Sequence, residues 1–295
     1  MLHCEKSCKT EGGQGFDDSS AETSLMSGRN TRETGGSWGA LLYAPVKRIL
    51  NAAGSDIVRY SGETDSIPFP DISPEDWETV RMVSPYTMTS AKRIQVLCEA
   101  TRYISQERIP GDIVECGVWK GGSMMAVART LLGESDQMRH LYLFDTFKGM
   151  TEPTEHDVTA DGEIAAKLLQ GTPKSEDRES IWCVAQKDGV RVAMGSTHYP
   201  NDRIHLIQGR VEETVPAQAP DRIALLRLDT DWYESTRHEM QHLYPRLERG
   251  GVLIVDDYGY WKGARKAVDE YLERMGHRLM LHRIDYTGRI GVRVL

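Results

Sequence analysis

Long apolar runs are missing from this chain. No stretch approaches the roughly 18 to 20 continuous apolar residues of a membrane span, and the opening residues, MLHCEKSCKT, lack the apolar centre of a signal peptide. A cytoplasmic protein with no membrane partner is expected. Extended Lys/Arg runs are missing too, and 36 Lys+Arg against 44 Asp+Glu give a formal net charge of -8, so nucleic acid is not an expected partner. Cysteine is scarce: Cys4, Cys8, Cys98, Cys116 and Cys183 form neither an even disulfide framework nor a metal motif. Cys4 and Cys8 are four apart without a second pair nearby, so ordinary reduced thiols are expected. Neither GxGxxG nor GxxxxGK[ST] occurs, which excludes the dinucleotide fingerprint and the phosphate loop.

A chain of 295 residues suffices for one large α/β domain with additions or for two small ones, and one core is the favoured reading. Residues 1–40 are polar and rich in Gly, Ser and Thr, without a sustained period. Such composition buries too little apolar surface to offset chain ordering, so a disordered or loosely attached arm is expected. Residues 41–88 read as an N-terminal helical and lid segment, with an amphipathic helix over 40–53 followed by Pro68, Pro70, Pro74 and Pro85. From residue 89 to 295 strands alternate with helices, which argues for a mainly parallel sheet covered on both faces. Thr89 or Ser90 caps a helix whose apolar positions Ile94, Leu97, Thr101 and Ile104 recur at helical spacing. An insertion occupies about 150–200, with helical pieces over DGEIAAKLL and ESIWCVAQKDGVRVAM. A helix runs through STRHEMQHLYPRLERGG, kinked or shortened at Pro245, and another from Lys262 to Met275 has Ala264, Ala267, Val268, Tyr271 and Leu272 on one face. The ends HRLMLHRID and RIGVRVL form an antiparallel pair.

Two apolar runs stop at carboxylates: IALLRLDTDWYEST at Asp229 and Asp231, and GGVLIVDDYG at Asp256 and Asp257. Buried parallel strands read this way when their C-terminal ends open into a site. Neighbouring strands lie about 4.8 Å apart, so the two endings can gather their acids into one cluster. Such a cluster would raise its own pKa values unless a cation sat in it, and a hard divalent metal is the simplest resident. Acids at strand ends also cap helices or face water, which is the competing explanation. The second signal is DIVECGVWKGGS, where a strand runs into an acid and three glycines before a helix. Gly117, Gly121 and Gly122 allow close backbone approach and supply donors at a helix N-terminus.

On these residues the chain resembles the class I S-adenosylmethionine-dependent methyltransferases, and within them the macrocin O-methyltransferase (TylF-type) family. The matching segments SPYTMTS, GDIVECGVWKGGSM, LYLFDTFKGM, IQGRVEETVP, LRLDTDWYEST, GGVLIVDDYG and HRIDYTG follow one another over residues 84–288. The resemblance implies a Rossmann-like seven-stranded methyltransferase sheet with helices on both faces, an N-terminal helical extension and an inserted lid. It implies S-adenosylmethionine held by Glu115, Gly117, Gly121 and Ser123, with Trp119 in the wall. Asp145 would accept hydrogen bonds from the ribose hydroxyls, and Tyr86, Thr87 and Met88 would close over the cofactor. It places Mg2+ on Asp229, Asp256 and Asp257, leaving Asp231, two residues past Asp229, as candidate general base. The acceptor would be a small hydroxylated molecule, a sugar-like diol on a glycosylated natural product, and the chain would self-associate.

Two alternatives stand beside this: methylation of a catechol or other phenol, and a cofactor-binding module without turnover. His156, His198, His205 and His238 lie in or near the loops, but each alone is more often a packing or surface residue, and none is assigned to catalysis.

Overall fold

The computed structural model describes residues 71–178, 180–276 and 279–294, all within the unit Asp65–Leu295. The arm expected over 1–40, the helix expected over 40–53, and Cys4 and Cys8 lie outside the described residues.

Helix α1 (Pro74–Val83) starts where the Ser73 hydroxyl accepts from the Asp76 N–H, with proline at its first position. Helix α2 (Ala91–Gln106) starts at Ser90, whose hydroxyl accepts from the Arg93 N–H. Its buried side includes Ile94, Leu97, Thr101 and Ile104, the spacing that marks one helical face. Then come β1 (Asp112–Cys116), α3 (Gly122–Gly133) and β2 (Leu141–Asp145), followed by α4 (Ala165–Gly171), α5 (Lys187–Gly195) and β3 (Ile204–Gln208). A short α6 (Val211–Thr214) leads to β4 (Ile223–Leu228), α7 (Tyr233–His242), β5 (Leu247–Val255) and α8 (Lys262–Arg274), and β6 (His282–Arg283) and β7 (Arg289–Val292) end the described fold.

The seven strands form one sheet in the order β3-β2-β1-β4-β5-β7-β6. Strands β1 to β5 pair in parallel, whereas β7 runs antiparallel to β5 and to β6. The Rossmann-like expectation is met. Chain order reverses between β1 and β4, so the crevice beyond their C-terminal ends is where such a sheet takes ligands.

Alternation along the strands divides the core. Ile113, Leu141, Leu143 and Val252 pack with α1, α2, α3 and α5 on one face, while Val114, Phe144, Leu226 and Leu253 pack with α6, α7 and α8 on the other. On α8 the buried Ala264, Ala267, Val268, Tyr271 and Leu272 are the face the sequence marks. A third cluster joins Ala165 and Leu169 of α4 to Trp232, Trp261 and Ala264, tying the 150–200 segment to the site end of the sheet.

Three expectations need correction. The helix after Asp231 stops at His242, a 3-10 turn covers Tyr244–Arg246, and Leu247 already begins β5. Pro245 has no N–H to continue a helix, and the Leu247 backbone pairs with Ile223 instead. In the 150–200 segment, residues 181–186 are not helical: Cys183 has φ 48 and the Trp182 indole donates to Thr172 O at 2.8 Å. The helix begins only at Lys187. Over DGEIAAKLL it begins at Ala165, after a turn in which Gly162 has φ 97.

Leu226 is fully buried on the central strand β4. Leu226→Ala is expected to lower unfolding free energy by about 2–5 kcal/mol in urea titrations, transfer and cavity costs together.

Candidate active site

The C-terminal ends of β1, β2, β4 and β5 open into a cavity of about 450 Å³, within the range that takes small ligands. One wall comes from the β1–α3 connection. Gly117 has φ 84, and a Cβ there would sit 2.0 Å from Asp229 O, so only glycine lets the β1 and β4 loops touch. The Asp229 N–H donates to Cys116 O at 2.8 Å, completing that junction. Asp145, at the end of β2, accepts from the Val118 and Trp119 N–H groups at 2.7 and 3.0 Å and from the Phe147 N–H at 2.7 Å. Burial pushes the Asp145 pKa up, against these three donors. Its carboxylate therefore shapes the β1 loop while lining the cavity. Trp119 also lines the cavity, and its buried indole N–H has no partner among the described residues.

The cavity floor carries a charged network that the motif reading missed. Arg227 is buried on β4, in register with Glu115 on β1. Its guanidinium reaches Glu115 at 2.6 Å, Asp229 at 2.8 Å and Asp256 at 2.8 Å, and donates to the Thr89 hydroxyl at 3.0 Å. Arg93 of α2 pairs with Asp256 as well, and with Asp285 at 3.1 Å. The available signal was the arginine inside IALLRL, because a cation within an apolar strand must be paired. Burial opposes the Arg227 charge, but Asp229, Asp256 and Glu115 outweigh it and lift its pKa well above the ordinary value.

Asp229, Asp231 and Asp257 meet: one oxygen from each lies within 4.8 Å of the others. Asp256, expected among the metal ligands, is instead turned to Arg93 and Arg227, while Asp231, expected as base alone, completes the trio. The reason is local. Asp231 has φ 66, a left-handed turn that aspartate tolerates better than most residues, and this turn redirects its side chain toward Asp257. Burial drives Asp229 and Asp257 well above the ordinary carboxylate range; Arg227 pulls Asp229 down while Asp256 and Asp257 push it up, and Asp231 and Asp256 push Asp257 up against its hydrogen bond with Asp229. Burial also raises Asp231 to about 7, with the hydrogen bond to Asp257 opposing and the Asp229 charge assisting. The whole assembly sets six carboxylates, those of Glu115, Asp229, Asp231, Asp256, Asp257 and Asp285, against the two guanidinium groups of Arg93 and Arg227. A trio of hard oxygens with that surplus negative charge suits a divalent cation.

Other expected residues divide. Tyr86, Thr87, Met88, Gly117, Ser123 and Asp145 line the cavity. Glu115 does not: it is fully buried against Arg227. Gly121 does not either; it precedes α3 with φ 89 and faces Val190. The four histidines also stay out of the lining. His205 stacks on Tyr142 and bonds His140, His238 bonds Val215 O, and His156 packs on Tyr233. Asp157 was overlooked altogether. It accepts from the Tyr233 N–H at 2.7 Å and the Thr154 N–H at 2.6 Å, pinning the N-terminus of α7 to the 150–200 segment.

A family model described as Macrocin-O-methyltransferase (TylF) matches residues 73–290. The chain is 31% identical over 229 residues to the 8-demethyl-8-(2,3-dimethoxy-alpha-L-rhamnosyl)-tetracenomycin-C 4'-O-methyltransferase of Streptomyces olivaceus, covering 78% of this chain and 81% of that protein. It is 30% identical to the mycinamicin III 3''-O-methyltransferase of Micromonospora griseorubida, covering 73% and 80%. Among solved structures, the O-methyltransferase NovP superposes with a TM-score of 0.61 at 30% identity, over 71% of this chain and 83% of that one. Among the described residues no helix is long and apolar enough to cross a membrane.

Burial raises the pKa of Glu115 from 4.5 to about 8, although Arg227 pulls the other way. A carboxyl with a raised folded-state pKa binds its proton more tightly in the native state. Its contribution to stability is therefore greatest below the unfolded pKa and declines as pH rises toward the folded one. Metal-free protein is expected to lose stability between about pH 4.5 and 8, and Glu115→Gln should flatten that slope in urea titrations run in EDTA.

Proposed function

The chain belongs to the macrocin O-methyltransferase family, and from that premise we propose that it moves the methyl group of S-adenosylmethionine to a hydroxyl of a sugar-like diol on a glycosylated natural product, with Mg2+ beside the donor. The observation carrying this is that Asp229, Asp231 and Asp257 converge in the wall of the cavity that Gly117, Trp119 and Asp145 also line. The names of two relatives, which specify a rhamnosyl-bearing tetracenomycin and mycinamicin III, support the acceptor class.

S-adenosylmethionine supplies a methyl group already activated on a sulfonium. Mg2+ supplies Lewis-acid chemistry, orienting neighbouring hydroxyls and making one more acidic. The chain's own residues do the rest. Asp229 and Asp257 hold the ion, with Asp256 adjoining them from between its two guanidinium groups. Asp231, raised to about 7, takes the hydroxyl proton, because a base that titrates near the working pH combines availability with driving force. Gly117, Ser123 and the indole N–H of Trp119 seat the donor, and Tyr86, Thr87 and Met88 cover it. Asp145, which holds the β1 loop, meets the ribose hydroxyls in this reading. Met150, Ile181, Tyr260 and Trp261 give the acceptor an apolar and aromatic wall. Fixing acceptor oxygen, methyl carbon and sulfur in line is the largest service such a site provides.

With labelled S-adenosylmethionine and a panel of glycosides, transfer is expected to stop in EDTA and return with Mg2+. Transfer that persists in EDTA would remove the ion, and catechols accepted in preference to glycosides would replace the acceptor class. Asp231→Asn is expected to lower kcat by about 10²–10⁴-fold with cofactor affinity near wild type, and an unchanged kcat would remove the base.

A further inference from the structure

Glu239 lies on α7, fully buried, in a core that otherwise runs to Met240, Leu243 and Tyr244. An acid placed there loses its water and requires partners. The Thr230 hydroxyl donates to Glu239, 3.0 and 3.1 Å from its two oxygens. Burial pushes its pKa well above the ordinary carboxylate range.

Thr230 is the residue between Asp229 and Asp231. The turn it sits in is demanding: Asp231 is left-handed, the Asp229 N–H is tied to Cys116 O, and the Trp232 N–H reaches Thr230 O at 2.7 Å. Left-handed non-glycine backbone is strained and persists only where surroundings over-determine it. Two anchors are visible. Asp157 holds the far side of the turn at the Tyr233 N–H, and the Glu239 carboxyl holds its middle.

We propose that Glu239 is a positioning residue for the acidic turn, setting through Thr230 where Asp229 and Asp231 stand in the cavity. The role rests on the reading of that turn as the ion-holding and proton-accepting element. Glutamine retains the shape and an oxygen that accepts from the Thr230 hydroxyl. Leucine fills the space without that contact.

The test compares Glu239→Gln, Glu239→Leu and Thr230→Val, with Mn2+ as probe in calorimetry and hydrogen exchange on metal-free protein. Glu239→Leu and Thr230→Val should each weaken Mn2+ binding by about 10-fold or more, as loss of a supporting hydrogen bond does at metal sites, while KM for S-adenosylmethionine stays near wild type. The double variant should be no worse than either single one, because both remove one interaction. Exchange at residues 229–232 should quicken in both, with the remainder of α7 unchanged, and Glu239→Gln should behave like wild type in each measurement. Wild-type exchange in Glu239→Leu, or additive losses in the double variant, would overturn the proposal. Should the wild-type protein bind no Mn2+, the reading of the turn as an ion site fails, and the exchange comparison still decides on Glu239.

Discussion

Arg227 stands on a strand whose six residues are all buried, so its guanidinium has no water to fall back on. Parallel register with β1 sets it opposite Glu115, and the two acidic strand endings supply Asp229 and Asp256. Removing one partner from such a buried set costs about 3–5 kcal/mol because a charge is left alone in low dielectric. That figure measures the penalty of disruption. It does not measure a gain over apolar packing, since burying all these groups is itself expensive. What the arrangement provides is direction: one planar cation with several fixed donors aims acids from two different strands at one end of the sheet.

The same network reaches the segments around the cavity mouth. Thr89 accepts from Arg227, the Ser90 hydroxyl donates to Asp285 at 2.9 Å, and Arg93 joins Asp256 to Asp285. From the C-terminal side, the Thr287 hydroxyl donates to Asp256 O at 2.8 Å. Residues 86–88, which line the cavity, therefore precede an anchor sunk into the acid cluster. The cavity mouth and the acid cluster share one set of side chains, so a shift in Asp256 is felt at Ser90 by way of Arg93 and Asp285.

Much of this was legible because it is local. Apolar runs ending in acids marked β4 and β5, helical spacing marked α2 and α8, and the glycines after Glu115 marked the close approach that Gly117 makes to Asp229. The positions of Gly121 and Glu115 were not legible. Both sit in the right motif, but Gly121 turns to Val190 and Glu115 to Arg227, and which face of a loop meets a cavity is a tertiary property. That Asp231 meets Asp229 and Asp257 while Asp256 turns to the guanidinium groups was not legible for a similar reason: an extended-strand argument cannot foresee a left-handed residue at 231. Glu239 and Asp157 carry no motif: Glu239 meets Thr230 only because α7 folds back on the acidic turn, and the Asp157 partner Tyr233 lies 76 residues away in sequence.

Charge accounts for the contrast among the six acids. Asp285 has backbone N–H donors from Thr287 and Gly288 besides Arg93; these overcome its burial and lower its pKa. Asp229, Asp231 and Asp257 have no such backbone donors among the described residues, and burial raises all three. A proton can relieve their repulsion one charge at a time; a divalent cation relieves it for several oxygens together and must displace protons to bind. Glu115 is different again, because it is sealed below the cavity floor and raised to about 8. It is the acid best able to keep a proton at neutral pH without occupying a ligand position, which leaves Arg227 free to direct its charge at Asp229 and Asp256. The division of labour among chemically identical groups thus follows from how many fixed donors each one reaches.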